Sequence, residues 1–75
     1  MNQDTPLAER SLAAFKAARK KSKMSQVQLS KASGLVQQNI SRMESGAHGN
    51  VSLETLERLA KAMGYWIDIV YRKRR

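Results

Sequence analysis

The 75-residue chain has no cysteine and a single histidine. Without thiols there is no disulfide framework and no thiolate metal site, and His48 alone lacks the partners a zinc centre needs. No metal or other cofactor is therefore expected. No apolar run approaches the roughly 20 residues that a membrane-spanning helix requires, and Met1 to Arg10 is polar rather than a charged-then-apolar leader. A cytoplasmic protein with no membrane partner is the expectation. The chain also does not read as an enzyme: it has no Cys nucleophile, no identifiable carboxylate to orient its one His, and Glu54 and Glu57 fall on the solvated side of a helix.

Acid is scarce, with 6 Asp+Glu against 14 Lys+Arg and a formal net charge of +8. Lys16, Arg19, Lys20, Lys21 and Lys23 form one basic cluster without an acid, and Arg72-Lys73-Arg74-Arg75 form another. Such clusters suit a polyanion, because Lys and Arg near phosphates release condensed counterions; a solvated face with a basic tail is the plainer reading. No repeat or Pro/Ser linker divides the chain. One short domain without a covalent staple buries only about 60% of its unfolded surface, which leaves oligomerisation as the remaining support.

Helical periodicity dominates what is there. Thr5-Pro6 reads as a helix start, with Thr5 as cap and Pro6 at the first helical position, and Leu7, Ala8, Leu12, Phe15 and Arg19 then recur at helical spacing to about Ser22. Met24 plugs the following turn. Ser25-Gln26-Val27-Gln28 has the form of a capping box, so a second helix starts at Gln26, uses Val27, Leu29 and Ala32 as apolar contacts and ends at Ser33-Gly34. A third helix runs from about Gln37 to Ser45 with Ile40 and Met43 inward. Gly46 stops it, and Ala47 to Val51 reads as a loop. Ser52 caps a fourth helix, Leu53 to Met63, whose stripe is Leu53, Leu56, Leu59, Ala60 and Met63.

The remainder has a different period. Tyr65-Trp66-Ile67-Asp68-Ile69-Val70-Tyr71-Arg72 is dense in aromatic and β-branched residues, with Tyr65, Ile67, Ile69 and Tyr71 on one side of a two-residue alternation. This predicts a single β-strand. A lone strand cannot satisfy its own backbone, and pairing with the same strand of a second copy about a two-fold axis is the economical solution. Ile67, Ile69, Val70 and Tyr71 are then the expected dimer-interface residues. A short fifth helix or a coil packed on the bundle is the alternative.

Two short helices joined by a tight Gly turn, the second opening with consecutive polar residues, form a helix-turn-helix arrangement. The run from Met24 to Leu35, then Asn39-Ile40-Ser41-Arg42-Met43-Glu44-Ser45-Gly46, then Ser52 to Gly64, resembles the Cro/C1-type (XRE) helix-turn-helix family over roughly Leu12 to Gly64. The resemblance implies a mainly α, four-helix, lambda-repressor-like bundle over residues 1–64. To this the alternation adds a dimerising strand at 65–72 and a basic tail at 73–75. It also implies a dimeric, sequence-specific repressor of its own or another operon, reading double-stranded DNA at a pseudo-palindrome. Carried over by position, Gln37, Gln38 and Arg42 are base-contacting, a Gln amide suiting adenine and an Arg fork suiting guanine. Gln26, Asn39, Ser41 and Asn50 fall on phosphate or base contacts, while Arg19 and Glu44 fall on a structural ion pair. Val36 departs from the family pattern, which usually has a capping Ser or Thr before the recognition helix. The helix-then-strand ending more loosely resembles HipB-type antitoxins of toxin–antitoxin operons, which implies a protein toxin as an alternative partner, a HipA-like kinase or a HigB-like ribonuclease. Non-specific binding of RNA or anionic membrane is a further alternative that the charge alone allows.

Overall fold

A computed structural model describes residues 6–46 and 51–74. Its elements are α1 (Leu7–Lys21), α2 (Gln26–Ser33), α3 (Gln37–Ser45) and α4 (Leu53–Met63). The helix starts follow local chemistry. At α2 the Gln28 N–H donates to Ser25 Oγ at 3.0 Å and the Ser25 N–H donates back to Gln28 Oε1 at 2.8 Å, which satisfies two N–H groups that a helix terminus leaves unpaired. At α4 the Thr55 N–H donates to Ser52 Oγ at 3.1 Å. Val36 precedes α3 with no side-chain cap, so the Asn39 and Ile40 N–H groups bond only to its carbonyl, at 3.0 and 3.3 Å.

The α1 start differs from expectation. Pro6 occupies the cap position rather than the first helical one, without a side-chain cap bond, and Thr5 lies outside the described residues. Leu7 is 71% exposed and Ala8 is also exposed, because the first turn of α1 extends past the bundle and its stripe begins to bury only at Leu12. Lys23 has φ 58, an unforeseen left-handed residue that turns α1 into α2.

The core is small and shared by all four helices: Phe15 from α1, Leu29 from α2, Ile40 and Met43 from α3, Leu59 from α4. Leu12, Met24, Leu35, Val51, Leu56, Ala62 and Met63 pack around it. Val27, Ala32 and Leu53, expected as core contacts, are exposed instead. An eight-residue helix crossing a bundle this thin buries one row, and Leu29 takes it on α2.

Residues 65–74 form neither helix nor strand in the single chain. The Tyr65 N–H closes the end of α4 on the Ala60 carbonyl at 2.8 Å, after Gly64 at φ 81 reverses the backbone. The expected two-residue alternation shows only at the start of the segment: Tyr65 is 40% and Ile67 44% exposed against 94% for Trp66, but Ile69 at 61% differs little from Val70 at 73%, and Tyr71, expected on the side of Tyr65 and Ile67, is 95% exposed.

Candidate nucleic-acid interface

The turn between α2 and α3 sets the angle at which α3 is presented. Gly34 adopts φ 77, and its N–H donates to the Ser30 carbonyl at 2.9 Å. The buried Ser33 hydroxyl accepts from the Leu35 N–H at 3.2 Å while the Ser30 hydroxyl donates to the Leu35 carbonyl, so the exit of α2 is closed by its own side chains. Arg58 reaches across from α4, its Nη2 lying 3.8 Å from where a Cβ on Gly34 would stand.

On α3, Ile40 and Met43 are buried and hold the helix to the core, leaving Gln37, Gln38, Asn39 and Arg42 exposed and Ser41 partly buried. Gln38 and Arg42 are four residues apart and share the outermost row. Gln37, Ser41 and Glu44 form the adjacent row, which leans on α2. Asn50 and His48 lie outside the described residues.

Behind that second row runs a hydrogen-bonded chain that links three helices. Arg19 grips Glu44 with two nitrogens, Nε to Oε2 at 2.5 Å and Nη2 to Oε1 at 2.8 Å, and its Nη1 donates to the Met24 carbonyl at 2.8 Å. Gln26 Nε2 donates to Glu44 Oε1 at 3.1 Å, and Gln37 Nε2 donates to Gln26 Oε1 at 3.4 Å. The two charged side chains are only 13% and 4% exposed. Burial pushes the Glu44 carboxyl upward, but the hydrogen bonds from Arg19 and Gln26, with the nearby charges of Arg19 and Lys16, outweigh it and hold the group below its ordinary value. The hydrogen bond to Glu44 raises Arg19 against its own desolvation.

This chain has a direction. A carboxylate only accepts, so Gln26 must turn its NH2 toward Glu44 and its carbonyl oxygen outward; Gln37 must then turn its NH2 toward Gln26. What Gln37 has left for a ligand is its carbonyl oxygen and one remaining N–H. Gln26, expected at a phosphate, has both ends of its amide committed inside the protein, leaving its second N–H and the α2 N-terminus for any external anion. The Gln26–Gln37 contact was not foreseen from sequence. Its only trace there is that two glutamines eleven positions apart each open a helix.

Lys16, Lys20, Lys21, Lys23, Lys31 and Arg42 are all exposed, and no described helix is long and apolar enough to cross a membrane. No group of His, Cys, Asp and Glu among the described residues is arranged to hold a metal ion.

A family model described as helix-turn-helix matches residues 15–69, from the middle of α1 through the first residues after α4. Comparison with curated proteins and with solved structures returns no match. The family model covers all of α2, the Gly34 turn, α3 and α4, most of the chain. The family is one of DNA-binding transcription regulators, and its partner is double-stranded DNA. The chain belongs to the Cro/C1-type (XRE) helix-turn-helix family.

Proposed function

We propose that the protein is a dimeric, sequence-specific repressor that reads a pseudo-palindromic operator through the major groove, including that of its own operon. The observation that carries this reading is α3 itself. A helix anchored by two buried residues and a buried ion pair presents an uncovered polar row, Gln38 and Arg42, beside a Gln37 whose amide direction is set from behind. Gln37 and Gln38 suit adenine, donating to N7 and accepting from the N6 amino group, and Arg42 suits O6 and N7 of guanine. Asn39 and Ser41 flank them, within reach of bases or phosphates. Two such helices about one helical turn apart, roughly 34 Å, meet successive major grooves.

Dimerisation rests on the segment after α4, where Ile67, Ile69, Val70 and Tyr71 expose apolar side chains that the single chain does not cover. Ile69→Pro removes a ladder N–H and is expected to make the protein monomeric in sedimentation. Sequencing fragments that the pure protein selects from random duplexes tests the whole reading, since it returns half-site, spacing and symmetry. Selection of no motif, or of a single half-site, overturns it.

A second reading is an antitoxin that also represses its operon. Trp66 and Val70, on the side of the segment away from α4, are 94% and 73% exposed. A two-stranded ribbon leaves that side open to a protein partner. Co-purification from the native operon separates the two: a DNA-binding dimer without a stable companion leaves the repressor alone.

A further inference from the structure

The start of α4 and the returning C-terminal segment enclose an open groove of about 440 Å³, lined by Leu53, Glu54, Glu57, Ile67 and Ile69. Its composition is unusual for this chain. Three apolar side chains, 63%, 44% and 61% exposed for Leu53, Ile67 and Ile69, stand beside two of the six acidic residues of a protein with net charge +8. Both carboxylates have a favourable cation four residues on, Arg58 for Glu54 and Lys61 for Glu57, the orientation that best supports a helix. Neither pair is formed: the ion pair among the described residues is Arg19–Glu44, and Arg58 lies instead against the Gly34 turn. An apolar floor with two unanswered carboxylates fits an occupant that brings apolar side chains followed by cations.

This chain carries that occupant in Tyr71-Arg72-Lys73-Arg74. We propose that the groove receives the C-terminal segment of a second copy of the chain, with the second copy's Tyr71 covering Ile67 and its Lys73 reaching toward Glu57. The inference rests on the dimer proposed above and adds where the partner strand lies and what holds its end.

Register follows from symmetry. A two-fold axis perpendicular to an antiparallel ribbon sets one residue against its own mate. Asp68 in that place opposes two like charges, and Ile67 leaves Tyr71 and everything after it outside the ladder. Val70 in that place sets Tyr71 opposite Ile69 and takes the two Ile69 side chains out of direct contact with each other. Ile69 against its mate places Tyr71 opposite Ile67 and Lys73 opposite Tyr65, where the lysine stem reaches diagonally over Ile67 toward the α4 carboxylates. The inward face is then apolar from Ile67 to Tyr71 on both strands.

The test is the dimer constant of the full chain without DNA, by sedimentation equilibrium, with helical content followed by circular dichroism. Lys73→Glu lowers the mutual repulsion of two cationic chains, so it tightens the dimer unless Lys73 meets a carboxylate; the expected result is a weakening of at least tenfold. Glu57→Lys alone is expected to weaken similarly, and the double variant to recover to within about threefold of the parent. Lys21→Glu, the same charge change away from the groove, is expected to leave the dimer unchanged or slightly tighter. Because the chain has no cysteine, a single Ile69→Cys gives a clean register probe. It is expected to cross-link under mild oxidant, while Val70→Cys, whose mates lie beyond the roughly 7 Å reach of a disulfide, is not. A parent that is monomeric at all accessible concentrations overturns the dimer reading itself. A dimeric parent that Lys73→Glu tightens or leaves unchanged, or a cross-link at Val70 and not at Ile69, overturns the groove assignment and leaves the dimer standing.

Discussion

The recognition helix and the segment after α4 both present an uncovered row of side chains, and the rows are opposite in kind. On α3 the exposed row is polar and its back is fastened twice, by Ile40 and Met43 in the core and by Glu44 in the ion pair. On the C-terminal segment the exposed side chains are Trp66, Ile67, Ile69, Val70 and Tyr71, with no ladder behind them in the single chain. A polar row on a fixed support is solvated and needs no partner to complete it. An apolar row without backbone pairing is an unfinished piece of core.

The largest effect that would sharpen this contrast lies in the anchors. Ile40→Ala, at a position with no exposure, is expected to cost about 2–5 kcal/mol in denaturant unfolding, while Val70→Ala is expected to change the monomer's stability by less than about 0.5 kcal/mol. Equal losses at the two positions would show the segment to be core already. Next in size is Glu44→Gln, which leaves the Arg19 guanidinium partly buried without its counter-charge and is expected to cost about 3 kcal/mol. The same carboxyl predicts a pH dependence. Its folded pKa lies below the ordinary value, so it stabilises the fold above the unfolded pKa, and that stability is lost as the pH falls through the folded pKa. Acid unfolding curves of the parent are expected to carry this slope, and those of Glu44→Gln to lack it.

Gln38→Ala isolates the reading row from its support. Stability is expected to stay within about 0.5 kcal/mol, and binding to the selected operator to weaken by about 1–3 kcal/mol with little change on random duplex. Equal losses on both duplexes would mean that Gln38 reads no base. The smallest effect is at the α2 cap, where Ser25→Ala is expected to cost about 1 kcal/mol, measured by thermal unfolding.

Much of the helical fold was legible in advance because its signals are local. The Ser25–Gln28 box, the Ser52 cap and the Gly34, Gly46 and Gly64 stops act within four residues of themselves, and they delimit α2, α3 and α4 where periodicity placed them. Burial was less legible, since Val27, Leu53 and Leu7 carry the right spacing but depend on whether another helix crosses at their height. Within the site, the exposure of Gln37, Gln38 and Arg42 followed from the helix period. The direction imposed on Gln37 through Gln26 and Glu44 did not, because it needs three helices in place before the acceptor-only character of one carboxylate can act.

What the sequence alone determined, then, is the order of the four helices, the bounds of α2, α3 and α4, the family and the polar face of α3. Capping and helical period operate over neighbouring residues and need no distant contact. Tertiary structure decided which apolar residues are buried, how the Arg19–Glu44–Gln26–Gln37 chain orients an amide, and that Glu54 and Glu57 face an open groove instead of their cations on α4. Each of these depends on which surfaces are brought together across the bundle, and a linear pattern does not carry that information.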